Sequence, residues 1–333
     1  MDEPATAHRA SPVGVVVIGR NEGERLLRCL RSVITPGRTV VYIDSGSTDI
    51  SLARAASLGA HTFGLDMGQP FTAARARNEG VRRLAAIVPD VAFIQFIDGD
   101  CEAAPGWIDT AQAFLEGHPR AAVACGRRRE RHPERSIYNL LCDIEWDTPV
   151  GNAKACGGDA LIRVQALREV VGFRGDLIAG EEPELCVRLR AKGWTIWRLD
   201  SEMTLHDAAM TRFGQWWKRT ARAGYAFAEG AQLHGAAPER HWVRESRSGR
   251  VWGLAIPVLL LLAAWLASPL ALLGFAVYPL QVARLFLRER GPMRTRFARA
   301  AFLVLGRFAE VWGQFGFFAH RLTGTRGRLI EYK

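Results

Sequence analysis

The 333-residue sequence lacks the glycine-rich cradles that bind dinucleotides or nucleoside triphosphates. No GxGxxG follows its first apolar run and no GxxxxGK followed by Ser or Thr occurs anywhere, which disfavours both phosphate-binding loops. The early lysine- and glycine-rich triphosphate loop of a nucleotidyltransferase is missing as well. Cysteine is sparse. Cys29, Cys101, Cys125, Cys142, Cys156 and Cys186 form no CxxC pair and show no metal-ligand spacing. The polar opening stretch carries no secretory signal, so these thiols are expected to be reduced and mostly buried. Internal repeats and low-complexity tracts are absent too.

What the chain has is positive charge. A formal net charge of +10 points to an anionic partner such as nucleic acid, a phosphorylated substrate or acidic lipid. Asp and Glu concentrate in the first 210 residues, and Arg dominates afterwards.

Hydrophobic patterning divides the first hundred residues into alternating elements. Residues 1–12 read as a disordered leader. Val13–Ile18 shows too little alternation for a half-exposed strand and is expected to be central and parallel. A helix near Glu24–Val33 follows, then a strand over Thr39–Ile43, a helix over Ile50–Leu58 and a short strand around His61–Gly64. Phe71–Val88 reads as a helix and Val91–Ile97 as a buried strand. Strand alternating with helix is the pattern of a doubly wound α/β sheet. Ligands bind such sheets outside the carboxyl ends of the strands. Polar clusters fall at three of those ends: Arg20-Asn21-Glu22, Asp44 to Asp49, and Asp98-Gly99-Asp100.

Asp98 and Asp100, at i and i+2, leave their strand on one side. Gly99 between them lets backbone or ligand approach closely. Alone the tripeptide is compatible with a plain turn. At a strand tip beside two other polar clusters, it suits a divalent cation carrying phosphate oxygens.

These residues resemble a family 2 glycosyltransferase with the GT-A fold, a Rossmann-like nucleotide-diphospho-sugar transferase. The resemblance spans roughly Val13 to Met210 and rests on ordered motifs: VVVIGRNEGERLLRCLRSV, VVYIDSGSTD, ARARNEG, FIQFIDGDCEAAPGW, CGGDALIRVQALREVVGF and GEEPELCVRLRAKGW. It implies that Arg20, Asn21, Glu22 and Asp44 hold the base and ribose, with Ser47 and Asp49 close by. Arg77 and Asn78 would lie on the nucleotide side. Asp98 and Gly99 would sit by the ribose and metal, and Asp100 would bind Mg2+ or Mn2+ directly. His206, after the strand Thr195–Leu199 and its loop, matches a position that completes the metal site in some relatives. Glu182 falls where the family usually has the Asp of a Glu-Asp pair acting as general base, so Glu181 and Glu182 are both candidates, preceding an expected helix over Glu184–Lys192. Gly157, Gly158 and Asp159 would begin the acceptor side. Gln215, Trp216 and Arg219 partly resemble a Gln-x-x-Arg-Trp motif of sugar polymerases in the family.

Other features remain two-sided on sequence. Trp146 and Trp194 suit either a sugar platform or the core, with the core favoured for Trp194. Arg127 to Arg135 suits a phosphate or lipid clamp, or a solvated loop.

After Met210 the composition changes. Residues 211–250 read as an interfacial helical linker. Val251–Ala267 carries no charge, and Leu270–Ala283 continues after Ser268-Pro269. As one helix, residues 251–287 would run ~55 Å against a ~30 Å hydrocarbon core, so a hairpin bent at Ser268-Pro269 fits better. Basic residues outside both ends place them in the cytoplasm by the positive-inside rule. In residues 288–333, Arg296, Arg299, Arg307, Glu310 and Gln314 share one helical arc. That stripe suits an interfacial helix or a span whose polar edge meets protein, and the basic tail with Arg326, Arg328 and Lys333 favours the interface.

The sequence therefore predicts a GT-A domain over 13–210 followed by membrane-associated helices. The expected activity is metal-dependent, inverting transfer from a nucleotide-sugar donor to a lipid-linked or other membrane-located acceptor in glycan or cell-envelope biosynthesis. The chain would lie in the cell inner membrane with its catalytic domain facing the cytoplasm and without a nucleic-acid partner. Rival readings are a nucleotidyltransferase on a similar fold and a non-catalytic membrane scaffold.

Overall fold

Val15, Val16 and Val17 are wholly buried, as a central strand of an α/β sheet requires. A computed structural model describes residues 12–324. The leader up to residue 11, and Arg326, Arg328 and Lys333 of the expected tail, lie outside the described residues.

The chain forms two compact units. The first takes the residues up to Arg131 with Trp146–Asp176 and Glu181–Asp207, and is built on one nine-stranded sheet. Its strands are β1 (Val13–Gly19), β2 (Val40–Asp44), β3 (His61–Gly64), β4 (Phe93–Asp98), β5 (Cys101–Ala103), β6 (Ala121–Glu130), β7 (Gly151–Asn152), β8 (Ala160–Arg163) and β9 (Thr195–His206). The order is β3-β2-β1-β4-β8-β6-β9-β5, with β7 beside β9. The first four are mutually parallel, which puts the ends of β1, β2 and β4 along one edge. Helices Glu24–Val33, Ser51–Ser57 and Ala73–Ile87 connect them, close to the expected bounds. Antiparallel β8 then joins β4 to β6.

Three elements differ from the sequence expectation. The first half of the arginine run is not a solvated loop, because β6 continues through Arg127, Arg128 and Arg129 to Glu130. The segment from 200 to 206 is not a loop either. β9 runs unbroken to His206 and pairs with β6 across register shifts between Cys125 and Arg127 and between Arg127 and Arg128. Extra residues of β9 absorb these shifts, so the polar stretch around Ser201 bulges without leaving the sheet. Finally, Glu181 and Glu182 lie inside the first turn of the helix Glu181–Ala191 rather than before it.

The second unit comprises His132–Glu145, Leu177–Gly180 and residues from Ala208 onward, so a single 13–210 body is replaced by an interleaved division. The helix Ile137–Glu145 belongs here because Tyr138 meets Phe302 edge-on at 5.7 Å and Glu145 pairs with Arg219 at 2.8 Å. Helices Phe213–His234 and Met293–Thr323 cross at glycines. A Cβ on Gly313 would sit 1.8 Å from the Ala221 carbonyl oxygen. The polar edge of the long helix meets protein: Gln314 is buried, donating to the Ser246 carbonyl and accepting from its hydroxyl.

Two helices, Val243–Leu266 and Pro269–Arg288, are long and apolar enough to cross a membrane. The break falls where expected, with Ser268 extended and its hydroxyl accepting from Leu270 N–H. The two pack as a hairpin, Gly274 lying against Leu260. Their outer faces are bare: Leu259, Trp265, Leu270 and Leu273 are each more than 60% exposed.

Gly313→Ala drives a methyl group into backbone, and overpacking of this kind costs about 1–3 kcal/mol or more. The purified full chain should therefore unfold at lower temperature or denaturant concentration. An unchanged midpoint would mean the crossing is looser than described.

Candidate active site

β4 ends in Asp98, and two guanidinium groups, one buried and one largely so, fix that carboxylate. Arg77, from the helix Ala73–Ile87, donates to Asp98 Oδ1 at 2.8 Å and to Glu181 Oε1 at 2.6 Å. Arg128, from β6, lies 3.4 Å from Asp98 Oδ2 and grips Asp159 through two nitrogens at 2.6 and 2.9 Å. Asp159 is fully buried, and also accepts from Thr204 Oγ1 at 2.8 Å and from Asp98 N–H at 3.1 Å. Burial alone would raise its pKa, but Arg128 and the Asp98 N–H prevail and hold it below the ordinary carboxylate range. Asp159 is thus a brace beneath Asp98 rather than an open acceptor-side group. Gly158 presses against the same cluster, where a Cβ would stand 2.8 Å from Asp98 Oδ2 and 3.1 Å from Arg77 Nη2. Gly157, with φ of +82°, turns the chain into this approach.

Beyond Asp98, Gly99 N–H donates to the Ile18 carbonyl at 2.8 Å, tying the tip of β4 to β1. Asp100 then points at the end of β9. Its Oδ2 lies 3.3 Å from His206 Nε2, while His206 Nδ1 lies 3.5 Å from Glu130 Oε2 without the alignment of a hydrogen bond. Burial lowers the His206 pKa, with Glu130 opposing, so a neutral imidazole is favoured. A neutral imidazole and a carboxylate whose donor atoms stand about 3 Å apart match adjacent positions around a small octahedral dication. A further carboxylate behind the ring is the usual orienting partner of a metal-bound histidine. Asp100 and His206 therefore fit Mg2+ or Mn2+. Cys101 Sγ also lies in this group, and burial pushes its thiol well up. Trp146 covers the cluster, edge-on to His206 at 4.8 Å and with the Arg128 guanidinium 5.3 Å from its ring centre.

The two glutamates of the helix start are in different states. Glu181 is buried and paired with Arg77. Glu182 is half-buried, its Oε1 accepting from Cys156 N–H at 2.6 Å. Burial raises its pKa, only partly offset by the Cys156 and Gly157 N–H groups. A carboxylate with raised pKa and partial access is suited to accept a proton, whereas one held by a guanidinium is not.

The loops after β1 and β2 are joined. Asn21 Oδ1 accepts from Thr48 N–H and Asn21 N–H donates to Ser47 Oγ, both at 2.8 Å. Arg20 and Asn21 are exposed at this edge, and Glu22 pairs with Arg25. Asp44 is buried, accepting from Tyr42 OH and from the Gly46 and Ser47 N–H groups, so here it braces its own turn. Asp49 caps the next helix through Ser51 N–H.

Several expected site residues have other duties. Asn78 makes paired bonds to the Phe173 backbone, 2.7 and 2.9 Å, and braces that loop. Gln215 caps its helix, accepting from the Thr211 and Arg212 N–H groups. Trp216 is buried against Phe302, and Arg219 is engaged bidentately by Glu145. Trp194 packs against the core and donates to Glu169. Conversely, the sequence marks Arg128 and Glu130 only as members of the run Arg127 to Arg135, not as individual site residues. The signal was present, because Ala121–Gly126 is an apolar run that leads straight into them and they sit at i and i+2 on one strand face.

Known proteins agree with this architecture. Residues 14–167 match the family described as Glycosyl transferase family 2. Among solved structures, the mannosyltransferase PcManGT from Pyrobaculum calidifontis, in complex with GDP-Man and Mn2+, superposes with a TM-score of 0.61 at 20% identity. The match covers 92% of this chain and 88% of that one. S. aureus TarS 1–349 superposes with a TM-score of 0.50 at 14% identity, covering 94% and 92%.

Removing Arg128 should be costly, since breaking one side of a buried ion pair costs about 3–5 kcal/mol. Arg128→Met should unfold well before the parent, and adding Asp159→Asn should recover part of the loss. Equal midpoints for Arg128→Met and the parent, by thermal denaturation, would refute the brace.

Proposed function

We propose that this chain, whose residues 14–167 match glycosyl transferase family 2, is a metal-dependent and inverting glycosyltransferase, with a nucleotide-sugar donor and a membrane-located, lipid-linked acceptor. The observation that carries this reading is the separation of roles among the acids: Asp100 beside a neutral imidazole, Asp98 held by two guanidinium groups, and Glu182 left half-buried with a raised pKa.

A divalent cation supplies positive charge to the diphosphate as it leaves. Asp100 and His206 would hold it, with Glu130 orienting the imidazole. Asp98, fixed by Arg77 and Arg128, offers its exposed edge to the ribose. The exposed loops at Arg20, Asn21 and Ser47 would take the base. Glu182 accepts the proton of the acceptor hydroxyl as that oxygen bonds to the anomeric carbon. The bond from that carbon to the diphosphate oxygen breaks and the diphosphate departs with the electron pair. Attack opposite the leaving group inverts the anomeric centre. General-base help of this kind contributes typically ~10²–10⁴-fold.

The bare apolar hairpin supports a membrane-located acceptor, because a soluble acceptor gives its exposed leucines and Trp265 no purpose. With basic residues outside both ends, the catalytic unit would face the cytoplasm, at the inner membrane of a cell with two.

A panel of nucleotide sugars should reveal metal-dependent release of nucleoside diphosphate. Asp100→Ala should abolish it and Glu182→Gln should lower kcat by ~10²–10⁴-fold. Release that survives both changes would sink the assignment. Only ionised Glu182 accepts a proton, so turnover should fall as pH drops through its raised pKa. That acid limb should lie above the ~4.3 of an ordinary glutamate and vanish from the residual rate of Glu182→Gln. For the membrane, carbonate washing should leave the full chain in the pellet, and complete release would rule out the hairpin as an anchor.

A further inference from the structure

Two soft thiol donors converge on the carboxylate of the proposed base. Glu182 and Cys186 stand at i and i+4 on one face of the helix Glu181–Ala191, and Cys156 reaches them from the loop before β8. One ligand atom from each lies within 4.8 Å of the other two. The Cys156 and Cys186 sulfurs are 3.7 Å apart, and Cys186 Sγ is 3.7 Å from Glu182 Oε1. Tetrahedral Zn2+, with Zn–S near 2.3 Å and Zn–O near 2.0–2.2 Å, has edges of about 3.8 Å between two sulfurs and about 3.5 Å between sulfur and oxygen. The three donors therefore approximate one face of that tetrahedron, leaving the fourth corner for water.

We propose that Cys156, Cys186 and Glu182 form a Zn2+ site that silences the enzyme by occupying its base. Thiolates select Zn2+ over Mg2+ or Mn2+, which prefer oxygen and keep to the carboxylate–imidazole pair at Asp100 and His206. Binding releases the two thiol protons. It commits a Glu182 lone pair to the metal, so the acceptor hydroxyl has no proton acceptor. The Cys156 N–H already fixes the Glu182 carboxylate at 2.6 Å, the kind of outer contact that orients a metal ligand. The metal site stands on the three donors alone. The silencing rests on the reading of Glu182 as base.

Two readouts separate them. In excess Mg2+ and reductant, Co2+ added to the full chain should give one equivalent of thiolate-to-cobalt charge-transfer absorption, displaced by Zn2+. Cys156→Ser and Cys186→Ala should each remove the band and weaken Zn2+ binding, measured against a competing chelator, by more than the ~10–100-fold that loss of an outer-shell partner costs. Cys101→Ser should leave both unchanged. No band with the parent chain overturns the site whether or not the variants fold. So does a band lost only in Cys101→Ser, which would put the cobalt at Asp100 and His206. A Cys156–Cys186 disulfide that forms despite the reductant and blocks cobalt also overturns it. In the second readout, equimolar Zn2+ should stop diphosphate release by the parent and a chelator should restore it, while Cys156→Ser keeps its rate with Zn2+ present. A band without inhibition keeps the site and removes the silencing. A band on a chain with no donor turnover at all supports the site while the catalytic reading fails.

Discussion

Two largely buried guanidinium groups set between three carboxylates hold this edge of the sheet together. Arg77 spans Asp98 and Glu181, and Arg128 spans Asp98 and Asp159. Neither arginine could be buried without these acids, and the acids could not be buried without the arginines. The lattice therefore forms as a whole. It brings together the tip of β4, the loop before β8, the strand β6 and the first turn of a helix some eighty residues further along the chain.

The lattice also sorts chemistry. Every carboxylate inside it is spoken for by a cation, which removes Glu181 and Asp159 from the pool of proton acceptors. Glu182, one residue along, escapes because its neighbours are backbone N–H groups and thiols rather than a guanidinium. Asp98 keeps one edge toward solvent, and Asp100 is turned past the lattice toward an imidazole. Two adjacent glutamates, and two aspartates separated by one glycine, thus meet different partners through position alone.

Much of this was legible in the sequence, for a local reason. Buried parallel strands read as apolar runs, helices between them as amphipathic repeats, and strand ends as polar clusters, so the pattern alone places Asp44, Asp98 and Asp100 at strand ends. What could not be read was pairing at long range. Arg127 to Arg129 look like a solvated run because nothing nearby shows that Asp159 and Glu202 will meet them. Asp159 looks like an accessible acid beside two glycines, yet it is the most enclosed carboxylate of the lattice. Asn78 and Gln215 sit inside suggestive motifs but spend their amides on backbone groups that only the folded chain supplies. The division into units was hidden likewise, since helix Ile137–Glu145 is claimed by aromatic contacts with residues far downstream.

The bulged pairing of β9 with β6 has a consequence of its own. Between Arg198 and Thr204, β9 carries more residues than the β6 segment opposite it, and the count decides which side chain arrives beside Glu130. Loss of one residue there without other adjustment would present Asp207 where His206 now stands, inverting the strand's inside and outside from that point on. This stretch can therefore vary in identity far more freely than in length. Its polar, exposed residues are spacers, and the imidazole is placed by counting.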